Sequence, residues 1–156
     1  MKYLAIVGVI LLVGCGAKSG APKDDPSKVA VGVLDEIVHN RYGQAWATLH
    51  PADQKVASRG EYVGCETRSP VLALPTSVRV VDVKHESVGL GDGTFVDSTA
   101  VDLRIGFMGG FHLMHAVHLV ATKGAWRWIL PPDRYRAYRA DRCPTDAGST
   151  PPASTS

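Results

Sequence analysis

The stretch STAVDLRIGF, residues 98–107, alternates side chains with hardly a break: Val101, Leu103, Ile105 and Phe107 stand against Ala100, Asp102, Arg104 and Gly106. Successive side chains of a strand point to opposite faces, so this period of two predicts a β-strand with one buried face and one wetter face. Its neighbours read the same way. SVRVVDVKHESV (77–88) alternates imperfectly, with the doubled Val80-Val81 marking a bulge, and GLGDGT (89–94) supplies a glycine-rich turn into 98–107. MGG (108–110) turns into FHLMHAVHLVAT (111–122), and Lys123-Gly124 turns again into AWRWILP (125–131). The expectation is a four-stranded antiparallel meander.

Upstream, the period changes to that of a helix. Between Ser27 and Tyr42 the apolar residues Val29, Val33, Leu34, Ile37 and Val38 recur at intervals of three and four. GQAWATLHP (43–51) predicts a short second helix with Trp46 and Leu49 on one side, ended by Pro51, which disfavours helix at His50. In SRGEY (58–62), Ser58 and Glu61 have the spacing of a capping box and start a third helix carrying Tyr62, Val63 and Cys65. Three helices followed by a meander make an α+β fold, with the helices on one face of a curved four-stranded antiparallel sheet.

The N-terminus has a different character. Lys2 precedes ten apolar residues, Leu4 to Val13, whereas a membrane-crossing helix needs about 20. Leu12-Val13-Gly14-Cys15 resembles a bacterial lipobox, in which the cysteine sulfur takes a diacylglyceryl group before cleavage on its N-terminal side. The resemblance implies a signal peptide over 1–14 and a lipid anchor at Cys15, holding the protein on the extracytoplasmic face of a cell membrane. Several acyl chains hold a soluble domain stably where one gives marginal binding. Lipidation of Cys15 leaves Cys65 and Cys143 as an even pair in an oxidising compartment, where a disulfide is expected. Residues 15–26, rich in small residues, proline and mixed charge, read as a flexible tether, 27–143 as a single domain and 144–156 as a low-complexity tail. The formal net charge is +2, and removing Lys2 with residues 1–14 lowers it by one, so nothing here has the electrostatic footprint of nucleic-acid binding.

The order of elements, with RYGQAWATLHPADQ (41–54), SRGEYVGCE (58–66) and KGAWRWIL (123–130), resembles the nuclear-transport-factor-2-like family. That resemblance implies a cone of bent sheet closed by N-terminal helices. A cystatin-like sheet wrapped on a helix shares the layout. Some enzymes of the cone fold place an Asp, His or Tyr inside the cone, other members only bind ligands or partners, and many pair through the sheet, so a homodimer is a further expectation.

His112, His115 and His118 are spaced by three, which on a helix would make a metal-binding face. On a strand, His115 points away from the other two and lies with Leu113, Val117 and Leu119 on the more apolar side, as a core or cone-lining histidine held by one hydrogen bond. Tyr42, Trp46 and Tyr62 lie in the helices that close the cone and either line a cavity or fill the core. Asp102 and Arg104 form at most an exposed pair worth little. GLGDG lacks the Lys-Ser/Thr ending of a phosphate loop, there is no Gly-x-Ser-x-Gly elbow, and no cofactor or metal is expected. Two readings compete: a membrane-anchored binding or accessory module, taking a protein partner or a small apolar ligand, and a small hydrolase or isomerase using His115. Catalysis needs at least two convergent ionisable groups, and the pattern supplies one.

Overall fold

The computed structural model describes residues 20–144, so Cys15, the segment 1–14 and the tail from residue 145 lie outside the described residues. The fold is α+β. Four helices, α1 (Pro26–Val38), α2 (Tyr42–Ala47), α3 (Pro51–Val56) and α4 (Arg59–Arg68), precede four strands, β1 (Ser77–Gly89), β2 (Phe95–Gly106), β3 (His112–Thr122) and β4 (Ala125–Trp128), and a fifth helix, α5 (Pro132–Arg139), comes last. The strands form one open antiparallel sheet in the order β1-β2-β3-β4, an arrangement consistent with a nuclear-transport-factor-2-like cone.

Five helices replace the expected three, each for a local reason. The Asp25 side chain caps α1 by accepting from the Ser27 amide at 2.9 Å. That helix ends at Val38 and not at Tyr42, because Asn40 takes a left-handed conformation (φ 58°) that asparagine tolerates. Pro51 ends nothing: it occupies the first turn of α3, where a missing amide costs no bond, and the His50 ring accepts from the Ala52 amide at 3.3 Å. Pro132 opens α5 in the same way. Ser58 caps α4, its hydroxyl accepting from the Glu61 amide at 3.3 Å.

The register pairs Val101 with Val83 on one side and Val117 on the other, and it shifts between Val80 and Asp82, where the doubled valine makes a bulge. Val101, Leu103 and Leu119 are fully enclosed and pack with Ala30, Val33, Leu34 and Val38 of α1. The opposite face is not uniformly wet. At one end Val120 and Ile129 join Leu90 in a second cluster covered by Ala52 of α3. Cys65 in α4 is bonded to Cys143 beyond α5, with Cα atoms 5.3 Å apart at a sequence separation of 78. Closing so long a loop stabilises by about 4.5 kcal/mol in the chain-entropy account.

Trp128 fastens the helices to the sheet. Residues 48–50 run beside it as a short parallel bridge: the Trp128 amide donates to the Thr48 carbonyl at 3.3 Å, and the His50 amide donates to the Trp128 carbonyl at 2.7 Å. Its indole Nε1 donates to the Ala45 carbonyl at 2.8 Å in a buried position. Replacing the indole with phenyl removes this bond while the carbonyl still accepts from the Thr48 hydroxyl at 3.0 Å and the Thr48 amide at 3.3 Å, so the loss is that of one hydrogen bond, about 0.5–1.5 kcal/mol. Trp128→Phe should therefore melt several degrees lower than the wild type by circular dichroism; an unchanged melt would show that the indole bond contributes nothing.

Candidate functional site

The short β4 pairs only with Leu119–Thr122, so the first half of β3 has no strand beside it on that side. Two clefts open there between β3, α1 and the segment after β4. One, of about 400 Å³, is lined by Val33, Leu34 and Ile37 of α1, by β3 from His115 to His118, and by Trp128 with Ile129, Leu130, Pro131 and Pro132. The second, of about 260 Å³, is lined by Val71, Ile105, Phe107 and Leu113 with Tyr62, Glu66 and Arg134. Both share Leu34, Ile37, His115, Trp128 and Pro131, so His115 stands where the two meet.

His115 does face the helix side, opposite Leu103 in the register. Of the expected core or cone-lining histidine held by one hydrogen bond, the structure contains the lining position but neither the core burial nor the bond. The residue is open to solvent at the cleft mouth, and its ring makes no hydrogen bond among the described residues. The cause is again the shortness of β4, which leaves this stretch of β3 uncovered. Partial enclosure in the cleft pushes its pKa below the usual histidine value, and the charges of His118 and Arg134 act in the same direction. His112 and His118 belong to the other face of β3. The His118 Nδ1 lies 3.3 Å from the Glu86 carboxylate and the His112 ring lies against Arg104. No group of three metal-ligating side chains occurs among the described residues. Asp102 pairs with Lys84, its diagonal neighbour across the β1–β2 register, at 3.2 Å rather than with Arg104.

Of the helix aromatics, Tyr62 lines the smaller cleft, edge-on to Trp128 with ring centroids 6.4 Å apart. Tyr42 and Trp46 do not line either cleft. The Tyr42 hydroxyl donates to Asn40 at 2.5 Å and stays in the core, while the Trp46 indole donates to the Ala57 carbonyl at 2.7 Å, tying α2 to the end of α3.

The sequence pattern did not reveal the polar wall of the smaller cleft. Glu66 is 6 % exposed, and its Oε1 accepts from the Arg134 guanidinium and, at 2.7 Å, from the Tyr138 hydroxyl. Burial works against the Arg134 charge, but the Glu66 carboxylate outweighs it and holds the guanidinium above its ordinary value. Burial raises both tyrosines, and the Glu66 carboxylate acts in the same direction. The available signal was in PPDRYRAYR (131–139): proline and an acid in the first turn and arginines in the last mark a helix.

A second buried acid supports the larger cleft from behind. Asp53 of α3 is 1 % exposed; its Oδ2 accepts from the Leu130 amide at 3.0 Å, while Oδ1 has no partner. Burial raises its pKa to about 7, with the Leu130 bond opposing and Asp92 adding to the rise. Because this lies above the unfolded value, the stability contributed by the protonated form is complete below about pH 4 and is lost as the pH rises towards 7. Asp53→Asn should therefore melt above the wild type at about pH 8, with the gap closing or reversing at about pH 4. Parallel melting curves at the two pH values would contradict a raised Asp53.

No family model matches the chain, and the comparison with curated proteins finds no match.

Proposed function

We propose that the protein is a lipid-anchored lipoprotein of the extracytoplasmic membrane face and a non-catalytic binding module, which takes a small apolar ligand in the clefts that meet at His115. The observation that carries the ligand reading is the character of the walls: aliphatic side chains, prolines and Trp128 line most of both clefts, and Glu66, the one acid lining either, is spent on Arg134 and Tyr138. Such walls suit an apolar body, with His115 as the free hydrogen-bonding group at its polar end. The anchor reading rests on the lipobox ending at Cys15, and no helix among the described residues is long and apolar enough to cross a membrane.

One observation favours the hydrolase or isomerase alternative. His115 is accessible, unpartnered and held towards its neutral form, as a general base would be. Binding remains the better reading because the other histidine lining the larger cleft, His118, lies on the opposite face of β3 with its Nδ1 turned to the Glu86 carboxylate, so the two imidazoles do not converge.

N-phenylnaphthylamine, a neutral apolar fluorophore, is a suitable probe. The chain should bind it at one saturable site, and Ile37→Trp, which fills the space shared by both clefts, should weaken binding by about tenfold or more, a loss of roughly 1.4 kcal/mol. Equal binding by the two proteins would place the probe elsewhere and remove the ligand reading. Turnover of small esters or enolisable ketones that disappears in His115→Gln, with the melting temperature unchanged, would establish the enzyme instead.

The anchor is tested separately in cells. Cys15→Ser should move the protein out of the detergent-extractable membrane fraction, and retention with unchanged processing would sink the lipobox assignment.

A further inference from the structure

At one pole of the molecule the linker between α4 and β1 meets the β2–β3 turn, the Thr76 amide donating to the Gly106 carbonyl at 2.8 Å. Large apolar side chains stand out into solvent here: Leu72 is 90 % exposed, Met108 85 % and Phe111 64 %. Gly109 and Gly110, both with positive φ (83° and 79°), make the turn that carries Met108 and Phe111 outward. Burial of these side chains would stabilise the fold, yet nothing among the described residues covers them.

Beside them is a different kind of cleft, of about 360 Å³, lined by Arg79, Arg104, His112 and Phe111 and by no carboxylate. Arg79 and Arg104 are direct partners in the β1–β2 register, an arrangement in which like charges repel. Neither takes part in an ion pair among the described residues, and the other neighbour of Arg104 is His112, whose Nε2 lies 3.1 Å from its guanidinium. Residues 67–81 and 103–116, which build this pole, contain no Asp or Glu. Of the acids that flank this pole, Asp35 is paired with Arg41 and His39, Glu66 with Arg134 and Asp102 with Lys84, while Asp82, opposite Asp102 in the register, accepts from the Val83 amide at 2.9 Å and forms no ion pair with either arginine.

We propose that this pole docks on an anionic lipid bilayer, with Leu72, Met108 and Phe111 entering the interface and a lipid phosphate seated between Arg79 and Arg104. Protruding apolar tips backed by unopposed cations are what such a surface selects: the tips take acyl contact, and the arginines meet charge that nothing in the protein neutralises. A protein partner would be better met by a flat patch whose centre is depleted of charge. This surface lies at the opposite end of β3 from Asp24, whose carbonyl accepts from the Trp126 indole at 2.8 Å.

Amide hydrogen–deuterium exchange of the full-length chain tests the proposal. Vesicles of phosphatidylcholine with phosphatidylglycerol should slow exchange in residues 70–76 and 107–113, and vesicles of phosphatidylcholine alone should not. Arg104→Ala should weaken the protection-linked partitioning about fivefold, the contribution of one cation at an anionic surface. Met108→Asp combined with Phe111→Asp should abolish the protection while leaving the melting temperature near that of the wild type. Equal protection on neutral vesicles, no protection, protection by inorganic phosphate alone, or protection that grows with protein concentration without vesicles would each overturn it. Attachment through the N-terminus would bring the chain to both vesicle types and leave these two segments exchanging as before, so failure of the anchor and failure of the docking surface are told apart.

Discussion

The hydrogen bonds between residues 45–50 and Trp128 decide how the two layers of this fold meet. A helix layer packed on a sheet by apolar contact alone can slide. Here the α2–α3 connection is fixed in register against β4 by two backbone bonds, and the buried indole bond to the Ala45 carbonyl sets the depth. This in turn sets the position of α1 over β2 and β3, because α1 and α2 are joined only by the turn at Asn40. Trp128 is also a wall of both clefts, so the residue that joins the layers shapes the space left between them.

That space exists because β4 is too short to cover β3. Four residues suffice to hold the tryptophan, and the chain then leaves the sheet through Pro131 and Pro132 into α5. The smaller cleft is closed at the back by the Glu66, Arg134 and Tyr138 group. In this group a buried carboxylate is matched by a cation and a hydroxyl, the condition under which buried charge is tolerable. Asp53 meets that condition only halfway, with one oxygen bonded and the other bare. The polar groups around the clefts are therefore unequal. The Glu66 group is saturated, while Asp53 and His115 retain unused capacity.

The strands were legible because their pattern is a local property: Val101, Leu103 and Ile105 repeat every second residue, and the Val80-Val81 doublet breaks the repeat where the register shifts. The helices were less legible where proline was concerned. Pro51 and Pro132 act as first-turn residues, and a proline that opens a helix differs from one that ends a helix only in the conformation of the residues after it. The orientation of His115 could be read from alternation, but its exposure could not, since exposure depends on how far β4 reaches. Glu66 and Arg134 were invisible for a plainer reason. They are 68 residues apart, and no periodicity relates a carboxylate on one helix to a guanidinium on a helix that had not itself been recognised. Likewise, Arg79 and Arg104 become conspicuous only once the register places them opposite each other.

The separation in sequence between Trp128 and its partners has a kinetic meaning. The indole reaches back 83 residues to Ala45, and the Cys65 to Cys143 bond closes a loop almost as long. During synthesis the N-terminal helices emerge first, with their apolar faces unpaired, and they wait for nearly the whole chain before β4 gives them something to dock on. Such non-local closure slows folding and exposes the early segments to misassociation. The last part of the chain, from β3 to Cys143, thus sets the moment at which the first part becomes native, and a chain cut short before Trp128 would carry the helices without the strand that organises them.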